Sequence, residues 1–154
     1  MRKTLIQQNA LILIFALLIS LFCSSCRYQV PENKRIDVIS DIAEIVNDNY
    51  SSEEEETPLY IRMTEIDESA GKNSDLHKAI EKYHDVQQYH VYLLDNDMVL
   101  IVTDSLFQGV KGYVVSDEEL EGTLMVPGLS FDSDRITIIY RIENSNIYSF
   151  SAGM

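Results

Sequence analysis

Three residues on one predicted helix have the types and the spacing of a candidate metal site. His77, Glu81 and His84 occupy positions i, i+4 and i+7, so on a helix they project from one stripe. Neutral imidazole nitrogens and a carboxylate are acceptable zinc ligands, and His90 on the following predicted strand could add a fourth. The spacing differs from the H-E-x-x-H zinc motif, and a solvated helix face has the same residue types. The stripe therefore has two interpretations, a metal site and a plain polar surface.

Motifs for other kinds of chemistry are missing from the sequence. Ser130 lacks the second glycine of a nucleophile elbow, and no histidine follows it in the chain. There is no P-loop and no dinucleotide-binding glycine pattern. Asp95–Asp97 and Asp132–Asp134 begin like calcium loops but lack the glycine and glutamate that must follow, so they are typical of turns. We predict no catalytic residue and no cofactor.

Two segments have the periodicity of amphipathic helices, and an acidic linker separates them. From Arg35 to Asn47 apolar residues recur at spacings of three and four, with acidic residues on the opposite side. Ser74 can cap a second helix that we expect to run to about Val86. The predicted buried residues of the two helices are Ile36, Ile39, Ile42, Ala43, Val46, Leu76, Ala79, Ile80 and Tyr83. Residues 51–58 contain four adjacent glutamates and predict a solvated linker.

The remaining patterns predict β-strands joined by short turns. Tyr89–Leu94 and Met98–Thr103 flank an Asp-Asn-Asp turn, and the second of them is a continuous apolar run typical of a central strand. Gly109 and Gly112 are expected to bracket a bend. Further strands are predicted at 59–66, 113–116, 135–143 and 147–151, and residues 124–126 could add a short one. The expected fold class is α+β, with about five or six mostly antiparallel strands packed with two amphipathic helices.

The first residues of the chain have the composition of an export signal. Arg2 and Lys3 give a positive start, and an apolar run of fourteen residues extends from Ala10 to Cys23. This run is shorter than the ~20 residues that cross the core of a bilayer. We therefore predict a cleaved signal peptide over residues 1–25. The alternative is an uncleaved anchor helix that extends back to Leu5.

A cysteine follows the apolar run, directly after the small residues Ser24 and Ser25. The stretch Leu21–Cys26 resembles the lipobox of bacterial lipoproteins, although Cys23 stands where an aliphatic residue is usual. The resemblance implies that Cys26 is lipidated and becomes the mature N-terminus. A tether over residues 26–35 and a single domain over residues 36–154 would follow. The alternative is cleavage without lipidation, which leaves one free thiol in the exported protein.

The charge of the chain limits its partners. The net charge is −13, and because the predicted leader carries Arg2 and Lys3 but no acid, the remainder has a net charge of −15. A domain this acidic repels phosphate backbones, so we predict no nucleic-acid partner. A basic protein or a cationic ligand is one interpretation of this charge. The interpretation that we favour is that the charge keeps the protein soluble, because net charge governs solubility and association rather than a particular site.

Together these features predict a cell-envelope protein outside the cytoplasm, either anchored to a membrane by an N-terminal lipid or secreted. We expect a non-catalytic binding or interaction module. One alternative is an exported acidic inhibitor or immunity protein that covers a basic site, since charge complementarity makes such binding fast. Another is a small metal-dependent hydrolase of the envelope, which would use the stripe of His77, Glu81 and His84.

Overall fold

The computed structural model describes residues 32–106, 109–129 and 134–153. The predicted signal peptide and Cys26 lie outside these ranges, as do Ser130 and most of the turn at 132–134. Across the described residues the chain forms three α-helices and seven strands. The helices are α1 (Glu32–Asn49), α2 (Met63–Ala70) and α3 (Asp75–Lys82). The strands are β1 (Leu59–Ile61), β2 (His90–Leu93), β3 (Val99–Leu106), β4 (Gly109–Val115), β5 (Thr123–Met125), β6 (Arg135–Arg141) and β7 (Ile147–Ala152).

All seven strands belong to one antiparallel sheet, in the order β1-β2-β3-β4-β7-β6-β5. The predicted α+β class is confirmed, and the described chain has slightly more strands than the five or six expected. It also has a third helix. Among the helices of the described segments, none combines the length and the apolar character that a membrane crossing needs.

Helix α1 follows the predicted amphipathic pattern but begins earlier. Ile39, Ile42 and Val46 have no exposed surface and pack on the sheet. The helix starts at Glu32, so the last four residues of the predicted tether, 32–35, are helical. An acidic residue in the first turn interacts favourably with the positive end of the helix dipole. Arg35 is held by contacts with the domain and is therefore part of it.

The predicted strand at 59–66 is wrong in its second half. β1 ends at Ile61, and α2 begins at Met63. The imperfect alternation of this segment indicated a helix in its second half. Met63 and Ile66 are three positions apart and are both buried on one helix face. The Glu65 carboxylate accepts a hydrogen bond from the Arg62 backbone N–H at 3.3 Å and so caps the new helix.

Helix α3 begins where predicted and ends four residues earlier than expected. The Ser74 hydroxyl oxygen accepts a hydrogen bond from the His77 N–H at 2.9 Å. Leu76, Ile80 and Tyr83 are buried as predicted. The helix ends at Lys82 because Tyr83 has an extended backbone (φ −115°, ψ 93°), and Val86–Gln88 forms a separate 3₁₀ turn.

We expect Ser74→Ala to lower the free energy of unfolding by about 1 kcal/mol, because the His77 N–H loses its capping acceptor. Urea unfolding followed by circular dichroism measures the change. Ser105→Ala is a suitable control, since Ser105 is exposed on a strand. Equal midpoints for the two variants would contradict the capping role.

The sheet separates two hydrophobic cores, and β3 contributes to both. Val99 and Ile101 face the helices, whereas Leu100 and Val102 face the opposite side, and all four are buried. The prediction of a central strand covered on both faces is therefore confirmed. No helix of the described ranges lies over the second core. It is closed by the curl of the sheet and by the segment that contains Leu120, Val126 and Leu129.

The predicted bend at Gly109 and Gly112 is wrong, because both residues lie within the continuous strand β4. Gly112 is needed there for close packing. A Cβ at this position would overlap the Ile101 carbonyl oxygen and would lie 2.9 Å from the Phe150 ring. The glycine therefore allows two neighbouring strands to approach, and does not break the strand.

Candidate functional site

A groove of about 260 Å³ lies where the two edges of the curled sheet come together. Its lining comes from the residues before β1, from the β2–β3 hairpin, and from β5 with the residues after it. The lining residues are Thr57, Pro58, Leu94, Asp95, Met98, Leu124, Met125, Val126 and Pro127. Below the groove, Pro58 lies 3.6 Å from the place that a Gly128 Cβ would occupy. The two sheet edges are thus in contact near this point, and the groove is the opening between them.

Hydrogen bonds fix the hairpin side of the groove. Asn96 and Asp97 have positive φ angles of 57° and 53°, which these residue types adopt readily. The Asp97 carboxylate accepts a hydrogen bond from the Ser52 N–H at 2.7 Å, and the Ser52 hydroxyl accepts one from the Asp97 N–H at 3.0 Å. Thr57 donates to the Asp95 carboxylate. The acidic loop at 51–58 is therefore tied to the hairpin through three hydrogen bonds.

These contacts make one rim of the groove acidic. Glu53–Glu56, Asp95 and Asp97 are all exposed. The hydrogen bonds from Ser52, first from its backbone and then from its side chain, lower the pKa of Asp97. Asp97 therefore keeps its negative charge to a lower pH than an ordinary aspartate. The linker at residues 51–58 is solvated, as predicted. Its position beside an apolar groove was not predicted from the sequence.

The groove is bordered by the free edge of β5. This strand pairs only with β6 and is the last strand of the sheet. Gly122 accepts a hydrogen bond from Ile138, and Val126 donates one to Asp134. Because backbone groups alternate in direction along an antiparallel strand, those of Thr123 and Met125 point away from β6. Their N–H and C=O groups are available for another strand.

The structure places two of the candidate metal residues, His77 and Glu81, on α3 and the third, His84, beyond its end. His77 Nδ1 is 2.6 Å from Asp67 Oδ1, and His77 Nε2 is 3.5 Å from Glu81 Oε1. His84 lies beyond the end of α3 at Lys82 and is exposed. Within the described ranges no group of three or more His, Cys, Asp or Glu residues is arranged to hold a metal ion. His77 instead joins α2 to α3 through Asp67, which supports the polar-surface interpretation of the stripe.

A second polar cluster was missed by the sequence analysis. Arg35 on α1 lies 3.6 Å from Asp85 and next to Tyr89 and Tyr113. Burial by itself lowers the pKa of Arg35, but the nearby tyrosines and carboxylates outweigh this effect and raise it. Within the described part of the chain, Arg35 Nε, Asp85 Oδ1 and the Tyr89 hydroxyl are buried without a hydrogen-bond partner. The assignment of Arg35 to a flexible tether concealed this cluster.

The Tyr89 hydroxyl gives the domain an expected sensitivity to alkaline pH. Burial raises the pKa of Tyr89 to about 12, against the opposing effect of Arg35. The folded state favours the neutral phenol. The part of the free energy of unfolding that depends on protonation of Tyr89 is therefore fully present below pH 10 and is lost between about pH 10 and pH 12. A pKa that is two units higher in the folded state corresponds to about 2–3 kcal/mol of the free energy of unfolding.

We expect Tyr89→Phe to be as stable as the wild type at neutral pH or more stable by about 1 kcal/mol, because it removes an unpaired buried hydroxyl. It should also lose less stability than the wild type between pH 10 and pH 12. Urea unfolding at several pH values measures both effects. Tyr140→Phe is the matched control, since Tyr140 is about half exposed at 49%. Parallel pH curves for the wild type and Tyr89→Phe would contradict the prediction.

Comparison of the chain with protein-family models, with curated proteins and with solved structures gives no match. The groove, its acidic rim and the free β5 edge are therefore the features from which function has to be inferred. They combine residues from three separated parts of the sequence.

Proposed function

We propose that this chain is an exported cell-envelope protein, held at a membrane by a lipid on Cys26, whose folded domain binds a protein partner without catalysing a reaction. The observation that carries the binding role is the apolar groove bordered by an unpaired strand edge. Exposed strand edges next to apolar surfaces are a common means by which domains bind other chains. The hydrolase alternative would need His84 to act together with His77 and Glu81, and His84 lies beyond the end of α3.

The anchoring part of the proposal rests on the sequence and on the position of α1. The apolar run ends shortly before Cys26, which is the lone cysteine after the predicted cleavage point. Helix α1 begins at Glu32, six positions after Cys26. Six extended residues reach about 20 Å. A lipid on Cys26 would therefore keep the domain close to the membrane surface, where its partner would be found.

Mass spectrometry of the mature N-terminus tests the anchoring part. We expect a lipidated Cys26 in protein recovered from the membrane fraction of the producing cell. Cys26→Ala should lose both the lipid and the membrane association, whereas Cys23→Ala should keep both. An intact chain among cytosolic proteins, still carrying its first methionine, would contradict export altogether.

Photo-crosslinking in the producing cell tests the binding part. A photoreactive amino acid at position 125, next to the groove, should trap a discrete protein partner. The same amino acid at position 48 is the control, because Asp48 lies on the exposed face of α1. Identical adducts from both positions, or none from position 125, would contradict a binding role for the groove.

A second candidate function is the exported acidic inhibitor, which the acidic rim favours. Asp95, Asp97 and Glu53–Glu56 would face a basic site on an enzyme or toxin, and the net charge would speed the encounter. The inhibitor should capture one basic enzyme, lower its activity and release it at high salt. A partner whose activity is unchanged on binding favours the general binding module.

A further inference from the structure

We propose that the groove and the free edge of β5 together accept an extended, positively charged segment of a partner protein, which pairs with β5 as an additional strand. This inference rests on the proposed binding function and specifies the class of partner. It is carried by the backbone groups of β5, by the size and lining of the groove, and by the charge of its rim.

The backbone of β5 provides the pairing surface. The groups of Thr123 and Met125 point away from β6. The groove is lined by β5 with the residues after it, by the residues before β1 and by the β2–β3 hairpin, and its lining includes no residue of β6. Met125 is 60% exposed, so its position is open to an incoming chain. A strand added here would satisfy the edge groups and would lie along the opening between the two sheet edges.

The size and lining of the groove indicate side chains of a peptide as its occupants. A volume of about 260 Å³ is below the ~300–1,000 Å³ of typical small-molecule pockets. Leu94, Met98 and Leu124 give it an apolar floor. Side chains on a strand alternate between two faces, so one set of side chains of a bound segment would point the same way as Leu124, and the other set the same way as Met125.

The charge of the rim selects a basic segment. Asp95, Asp97 and Glu53–Glu56 are exposed at the hairpin end of the groove, and the chain as a whole is strongly acidic. Arg135 lies opposite Met125 on β6, on the side of β5 away from the free edge. Lysine or arginine side chains on the outer face of a bound segment would therefore meet carboxylates. A second copy of this chain would bring the same negative charges together and is disfavoured.

Fluorescence anisotropy with a labelled peptide of alternating lysine and valine tests the inference on the domain without its leader. We expect this peptide to bind at low salt, and the glutamate–valine peptide of the same length not to bind. The lysine–valine peptide with a central proline should bind several-fold more weakly, because proline removes a backbone donor. No binding of the lysine–valine peptide at low salt would overturn the inference.

Matched variants separate strand pairing from simple attraction of opposite charges. Met125→Pro removes the outward N–H without removing a bond of the sheet, so the domain should fold and bind about fivefold more weakly. Met125→Ala keeps the N–H and loses only the side chain, so it should bind more tightly than Met125→Pro. Asp95→Asn and Asp97→Asn keep their hydrogen-bond acceptors, and each should weaken binding about threefold. Asp48→Asn, on α1, should have no effect.

Hydrogen exchange of the backbone amides gives the decisive readout. The amides of Thr123 and Met125 should exchange quickly in the free domain and slowly with the lysine–valine peptide bound. Binding that leaves these amides unprotected, or that Met125→Pro does not weaken, would show charge attraction alone and would overturn the inference. Slow exchange without peptide, together with a dimer in sedimentation, would overturn it in favour of a second copy.

The crosslinking and peptide experiments together also distinguish this inference from the proposed function. A discrete partner crosslinked at position 125, together with failure of the peptide experiments, would leave the binding function intact and refute the basic extended segment. Absence of both the crosslink and peptide binding would refute the inference and the binding function together.

Discussion

Gly112→Ala is expected to destabilise the domain by about 3 kcal/mol or more, which is a large part of the ~5–15 kcal/mol that holds a typical domain together. The new methyl group would overlap the Ile101 carbonyl oxygen on β3 and lie 2.9 Å from the Phe150 ring on β7. Aromatic side chains can turn aside, but a carbonyl oxygen moves only with its strand. Relief therefore requires β3 and β4 to separate at the centre of the sheet.

Chemical denaturation of the wild type and Gly112→Ala measures this effect. Gly71→Ala is the informative control, because Gly71 has a φ of +76° and no atom within 4 Å of its missing Cβ. That variant should lose only about 1–2 kcal/mol, from backbone strain without a clash. If the two variants were equally stable, close approach of the strands would not be the reason for the glycine.

The regular elements could be predicted because their patterns are local. The apolar spacing of α1 and the continuous apolar run of β3 each indicate which side chains are buried. The prediction for β3 is confirmed, and that for α1 is confirmed except that Ile36 is only partly buried and Val38 is buried without having been predicted. The hairpin at Asp95–Asp97 was also identified, since its residue types favour positive φ. In each case the information lies within about ten neighbouring residues.

The errors have a different physical origin, because they depend on contacts between distant residues. Gly112 looks like a bend in the sequence, and only the approach of Ile101 and Phe150 explains it as part of a strand. Arg35 looks like the end of a polar tether, and its neighbours Asp85 and Tyr89 come from a segment fifty residues away. Local pattern carries no information on either contact.

The candidate site was beyond prediction for the same reason. The groove needs the curl of the sheet to bring Thr57 and Pro58 to the hairpin and to β5. The sequence pattern indicated only a solvated linker at residues 51–58 and a short strand at Leu124–Val126. The stripe of His77, Glu81 and His84 was more visible in the sequence because its spacing is local, but the helix ends before His84.

Phe150→Ala is expected to have the second large effect, a loss of about 3–5 kcal/mol, because the side chain is 1% exposed in the core beneath the groove. In the part of the chain that the structure describes, no helix covers this core. Leu120, Val126 and Leu129 close it from an irregular segment, so a cavity at Phe150 would loosen the same segment that follows β5. The folded variant should therefore bind the lysine–valine peptide more weakly than the wild type does.

Unfolding curves of Phe150→Ala, with Tyr140→Ala as control, measure this loss. Tyr140 lies on the neighbouring strand and is about half exposed, so its removal should change stability by less than about 1 kcal/mol. Because β3 places alternate residues in both cores, the two should unfold in one transition, and tyrosine signals from the helix-facing core should shift with the rest. Separate transitions for the two cores would mean that the groove can be lost while the helices remain packed on the sheet.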